Sequence, residues 1–233
     1  MENLQDKYAQ MGKNTVDSKE QLKETEIIKF DNPTGEGKRI MFVGNSITLH
    51  GVKHDIGWHN AWGMAASTKE KDYVHQLERM ILEKDPEASF CICQAARWER
   101  CYANGSETHG LFENARSFGA DIIVFRCVEN CPGKDFDSES FERELDALLN
   151  YLDGTGKAKR IITTGFWHHP GDGVLRAYAE KMGYPCAELG DLGEDDEMKA
   201  IGLFAHSGVA NHPGDKGMLK IAERIFEKLE NLV

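Results

Sequence analysis

RIMFVGNSITLH, residues 39–50, is the stretch on which the reading of this chain turns. Ile40 to Val43 is a short apolar run of strand length, and Gly44, Asn45 and Ser46 end it with residues that favour a turn. The domain proper therefore begins near Arg39, with a buried strand that opens into a polar loop.

Further strand-like runs follow at Ala88 to Cys93, Asp121 to Cys127 and Ile161 to Gly165, with a weaker one at Cys186 to Leu189. Between them apolar residues recur at helical spacing: Val74, Leu77 and Ile81; Phe141, Leu145, Leu148, Leu149 and Leu152; Leu175, Tyr178, Ala179 and Met182. The last stripe is the clearest, with Met218, Ile221, Ala222, Ile225, Leu229 and Leu232 on one face and most charges elsewhere. Strand and helix in alternation build a parallel sheet covered on both faces. The expected architecture is a three-layer α/β/α sandwich with a five-stranded parallel sheet, flavodoxin-like in layout, over residues 38–233. Residues 1–37 are polar, end in the turn-rich Asn32-Pro33-Thr34-Gly35-Glu36-Gly37, and read as an N-terminal arm.

A net charge of −11, with Lys and Arg scattered among acidic residues, speaks against nucleic acid as a partner. No apolar run approaches the roughly 18 residues of a membrane span, and no secretory leader is visible, so a cytoplasmic protein without membrane contact is expected. The six cysteines sit mostly in or beside apolar runs and read as reduced core residues. Cys91 and Cys93, the Cys127 and Cys131 spacing, and His50, His54 and His59 match no metal-ligand pattern. Neither a metal nor a cofactor is expected.

In a parallel sheet, functional groups gather where the C-terminal ends of strands open into loops. Those loops carry Gly44-Asn45-Ser46-Ile47-Thr48, Val128-Glu129-Asn130-Cys131-Pro132 and Phe166-Trp167-His168-His169-Pro170, and the loop before the last helix brings His206 and His212 to the same rim. A serine is a weak nucleophile until an imidazole takes its proton, and parallel winding returns the end of the chain beside the first strand. Ser46 and His212 are the pair this reasoning selects.

These blocks resemble those of the SGNH (GDSL-like) hydrolases. Gly44-Asn45-Ser46-Ile47-Thr48 is similar to the first block, where Gly-Asp-Ser is commoner and Gly-Asn-Ser a variant. Asp121 to Asn130 is similar to the third, and Asn211-His212-Pro213-Gly214-Asp215 to the last. The resemblance spans Arg39 to Val233. It implies a serine esterase acting on short-chain acyl esters, with O-acetyl groups on carbohydrate as a candidate substrate. Ser46 would be the nucleophile, His212 the base, and the Ser46 amide with the Asn130 side chain the oxyanion hole. The substrate would be a small-molecule or carbohydrate ester; whether the chain forms a homo-oligomer is left open.

Two positions depart from the pattern. Val209 stands where the family usually has an Asp, three residues before the histidine, so the pair works either as a dyad held by a backbone carbonyl or with Glu129, Asp195 or Asp215 as the orienting acid. The second block's glycine has no match in Cys93 to Glu99. Trp58, Trp62, Trp98 and Trp167 lie in or near loops that leave strand ends, where aromatic faces suit sugar rings, although core packing would also explain them. Two rival readings stay open: a non-catalytic carbohydrate-binding relative, and a flavin-binding protein using Ser46, Thr48 and Gly51 around a phosphate.

Overall fold

The computed structural model describes residues 26–233. Its elements run β1 (Ile28–Asp31), β2 (Arg39–Gly44), α1 (Tyr73–Leu82), β3 (Ser89–Gln94), α2 (Ala96–Arg100), α3 (Glu113–Phe118), β4 (Ile122–Arg126), α4 (Ser138–Leu152), β5 (Lys159–Thr163), α5 (Asp172–Met182), β6 (Cys186–Ala187), α6 (Ser207–Ala210) and α7 (Asp215–Leu229). The sheet has six strands in the order β1-β3-β2-β4-β5-β6. Five of them, β3-β2-β4-β5-β6, are parallel neighbours, as the apolar runs predict.

β1 is the addition, and it lies antiparallel on β3 with Ile28 opposite Cys93 and Asp31 opposite Phe90. The arm expected to reach residue 37 therefore contributes a strand; the part before residue 26 lies outside the described residues. The strand escapes pattern reading because it is four residues long and carries Lys29 and Asp31. Charges of this kind are what an exposed sheet edge needs to avoid pairing with another chain.

Side chains alternate across the central strands, and both faces are apolar because both are covered. From β2, Ile40 and Phe42 meet the stripes of α1 and α7, Val74, Leu77 and Ile81 with Met218, Ile221 and Ile225. Met41 and Val43 point the other way, toward Phe141 and Leu145 of α4 and Leu175 of α5. Met182, counted into its helix's stripe, is 40% exposed at the last turn. Leu232 lies beyond the end of α7, half-buried against the same layer.

All six cysteines are unpaired, four of them buried. No helix among the described residues is long and apolar enough to cross a membrane.

From β2 the chain steps to β3 on one side, then crosses to β4 on the other. The crevice between the ends of β2 and β4 is thus the switch point at which open α/β sheets bind ligands. Ser46 follows β2 and Asn130 follows β4, so both open onto it.

Candidate active site

The Ser46 loop is a turn tightened against its own strand. A Cβ at Gly44 would lie 1.7 Å from Thr48 Oγ1, so only glycine lets Thr48 fold back beneath the loop. Thr48 N and Leu49 N donate to Asn45 O at 2.9 and 3.0 Å, and Thr48 Oγ1 lies 2.7 Å from Tyr73 OH. Met64 N donates to Ser46 O at 2.8 Å and holds the loop from its other side. Thr48 is fully buried with its hydroxyl engaged, which removes it from the phosphate-binding set that the flavin reading requires.

His212 sits between α6 and α7, tied by its own N to Val209 O at 3.0 Å and by its O to Ala200 N at 2.9 Å. Its Nε2 is 2.8 Å from Ser46 Oγ. Its Nδ1 is 2.6 Å from Gly208 O, and a carbonyl can only accept, so Nδ1 carries the proton and Nε2 presents a lone pair to the serine. The Trp167 ring packs edge-on at 5.1 Å. Burial pulls the His212 pKa down to about 4, against the Gly208 hydrogen bond that raises it, so the ring is neutral at neutral pH.

Beneath the serine loop lies a buried ionic floor. Arg126 Nη1 donates to Glu129 Oε1 at 2.6 Å, while its Nη2 donates to Asn45 Oδ1. The Asn45 amide donates to Glu129 Oε2 at 2.6 Å and to Glu99 Oε1 at 3.0 Å. Glu99 Oε2 accepts from Asn130 Nδ2 at 2.7 Å, and Arg100 Nη2 donates to Asn130 Oδ1 at 3.2 Å. One of the two Asn130 amide hydrogens is thus spent on Glu99.

The two carboxyls titrate apart. Burial, with Glu129 close by, pushes Glu99 up to about 7. Burial, the largest influence, works against the charge of Glu129, but the Arg126 guanidinium and the Phe166 amide together outweigh it and keep that carboxyl below its ordinary range. Glu99 and Arg126 were not singled out from the sequence, although an arginine closing an otherwise apolar strand was a visible signal of a buried partner.

None of the three acids considered as the orienting group makes a hydrogen bond to His212. Glu129 is committed to Arg126, Asn45 and the Phe166 amide. Asp195 caps the Glu197 amide at 2.9 Å, and Asp215 accepts from Ser67 and Lys71. Val209 has no side-chain hydrogen-bonding group to offer the ring; it lines the same cavity and is buried with Ile56, Trp58, Met64, Ala65 and Ala200.

The tryptophans divide. Trp58 and Trp98 are completely buried, the latter against Phe125 and Phe141, so neither can stack on a sugar. Trp62 is half-buried edge-on to Trp58, and its Nε1 donates to Ala66 O. Trp167 alone of the four touches His212.

A cavity of about 190 Å³ opens over the pair, lined by Ser46, His212, Asn130, Arg100, His50 and His206 among others. His50, which matches no metal-ligand pattern, is buried here with Nδ1 2.7 Å from Gly51 O, and burial lowers its pKa to about 4. Ala96, in the segment that lacks the second-block glycine, also lines the cavity, and its amide donates to Gln94 Oε1 at 3.2 Å.

No family model matches the chain, and no curated protein matches it. Solved structures do. A two-domain esterase (CEX) active on acetylated mannans, co-crystallised with mannopentaose, aligns with a TM-score of 0.57 at 16% identity over 91% of this chain and 58% of that one. The psychrotrophic esterase EstA from Pseudoalteromonas sp. aligns with a TM-score of 0.54 at 11% identity over 84% of this chain and 98% of its own. A carbohydrate esterase family 3 protein from Talaromyces cellulolyticus aligns with a TM-score of 0.53 at 15% identity over 84% and 97%. The chain spans 58% of the length of the first of these. Its fold is that of the SGNH (GDSL-like) hydrolases.

Proposed function

We propose that the chain is a serine esterase that removes short acyl groups, O-acetyl groups on carbohydrate in particular, through an acyl-enzyme on Ser46. The observation that carries this reading is the 2.8 Å contact between Ser46 Oγ and a His212 Nε2 whose other nitrogen is bound to Gly208 O, at the sheet's switch point. Ser46 Oγ attacks the ester carbonyl as its proton passes to Nε2. The developing oxyanion is met by the Ser46 amide and the free hydrogen of Asn130 Nδ2. Collapse expels the alcohol, which takes the proton back from Nε2, and water then cleaves the acyl-enzyme by the same route.

The base works as a dyad. A carbonyl fixes the ring's tautomer and direction as a carboxylate does, yet adds no negative charge, in keeping with an imidazole that is hard to protonate. The cavity is smaller than the roughly 300–1,000 Å³ of pockets for drug-sized ligands, which favours a short acyl chain. Its rim of His50, His206, Arg100 and Asn130 offers hydrogen bonds to hydroxyl groups, and two of the aligned relatives carry carbohydrate esters in their descriptions. Fluorophosphonate labelling followed by mass mapping tests the reading: label on Ser46, slowed when an acetyl ester is present in excess during the reaction, is expected. Label elsewhere, or none together with no acetate released from acetylated mannan oligosaccharides, would overturn it.

A further inference from the structure

Away from the cavity, Asp31 at the end of β1 meets His75 and Glu78 of α1, and one ligand atom from each lies within 4.8 Å of the others. His75 and Glu78 are three residues apart on the helix and so share a face. We propose that these three side chains bind one divalent transition-metal ion of the zinc type, which clips the edge strand to the helix. The proposal does not depend on the esterase reading, since none of the three lines the cavity.

One buried oxygen lacks a partner, and one buried ring nitrogen has only an ion-pair neighbour. Glu78 is 7% exposed, yet its Oε1 has no hydrogen-bond partner. Leaving a buried carboxylate oxygen unpaired is costly, and a helix residue facing solvent one turn away would have avoided it. His75 Nε2 is likewise buried and makes no aligned hydrogen bond, although Asp31 Oδ2 is 3.2 Å away. That separation suits two ligands of a common ion, because bonds of about 2.0–2.1 Å in tetrahedral arrangement set neighbouring donors roughly 3.3 Å apart.

The surroundings are arranged as around a metal-binding histidine. Asp72, fully buried, accepts from His75 Nδ1 at 2.7 Å and is itself held by the amides of His75 and Gly63. A carboxylate on Nδ1 fixes the tautomer that leaves Nε2 free to ligate. Asp31, Asp72 and Glu78 bring three carboxyl groups together around His75, with the Lys69 ammonium 3.0 Å from Asp31 Oδ2. Lys29 of β1 is turned to Ala61 O. A divalent ion would take the place of protons on His75 and Glu78, and it supplies Glu78 Oε1 with the contact it lacks. The mixed nitrogen and oxygen set favours zinc over magnesium. The expectation of no metal came from spacing within single segments, whereas these ligands come from a strand and a helix some forty residues apart.

The test is calorimetric titration of the chelator-treated full chain with zinc chloride, beside thermal melts. One zinc per chain and a rise in Tm are expected, with no rise on magnesium chloride at equal concentration. Glu78→Gln and Asp31→Asn, each checked by circular dichroism, should weaken zinc by about tenfold or more and cancel the Tm rise. The exposed His54 and His59, with Nδ1 atoms 2.7 Å apart, are a rival zinc site, so H59A serves as the control and should bind as the parent does. No binding to the parent chain, binding undiminished in both carboxylate variants, or loss in H59A would overturn the proposal.

Discussion

The nucleophile side of the candidate site and its base side are held by opposite means. Ser46 and Asn130 rest on a floor of charges, in which Arg126, Glu99 and Glu129 lock Asn45 and Asn130 into place across more than eighty residues of sequence. His212 rests on one neutral carbonyl four residues before it. The charge lies on the side of Ser46 and Asn130: Val209, three residues before the histidine, fills an apolar pocket, and the acids lie under the asparagines. The comparison teaches that a buried carboxylate near a catalytic-type histidine need not be its partner. Which atom faces the ring decides, and here that atom belongs to the backbone.

The largest effects should come where the two sides meet. Ser46→Ala and His212→Ala are each expected to lower kcat for 4-nitrophenyl acetate by about a thousandfold or more with circular dichroism unchanged, as for groups that act as a unit. Substantial activity in either folded variant would dissolve the pair.

On the charged side, Asn130→Ala should lower kcat by roughly a hundredfold with a smaller change in KM, because a bond to the oxyanion strengthens only as charge develops. A rise in KM at constant kcat would place Asn130 in ground-state binding. Glu99→Gln sets amide hydrogens against the Asn45 and Asn130 amides and should cost about tenfold in kcat at nearly constant KM, as for a group that orients another. A folded Glu99→Gln protein with parental kcat would reduce the ionic floor to a structural device.

On the neutral side, the expected signature is in pH. The reaction needs neutral His212, so kcat/KM is full above its folded pKa and is lost as pH falls through it. With that pKa lowered to about 4, the acid limb should lie well below the 6.5 of a free imidazole. A midpoint near 6.5 or above would indicate a carboxylate behind the ring. The smallest changes are expected for Asp195→Asn and Asp215→Asn, which should keep kcat within about a factor of two, as surface substitutions away from a site do. If either falls as far as His212→Ala, the base side has an acid after all.

The five parallel strands and four long helices were legible because each repeats one residue class at its own period. Ser46, Asn130 and His212 were legible because each follows a strand or precedes a helix within a short stretch. Residue types and local spacing thus determined the layers, the rim and the candidate pair that meets there. Tertiary structure alone decided the rest. The charged edge strand β1 gains its place only by pairing with β3, and the burial of Trp58 and Trp98 depends on what Phe204, Phe125 and Phe141 bring against them. Whether Glu99, Glu129 or Asp215 serves as an ion-pair member, a cap or a base's partner depends on atoms placed by distant segments. The hydrogen bond that orients His212 comes from a carbonyl, a group that every residue has, and its direction is set by backbone dihedrals that no pattern of side chains records.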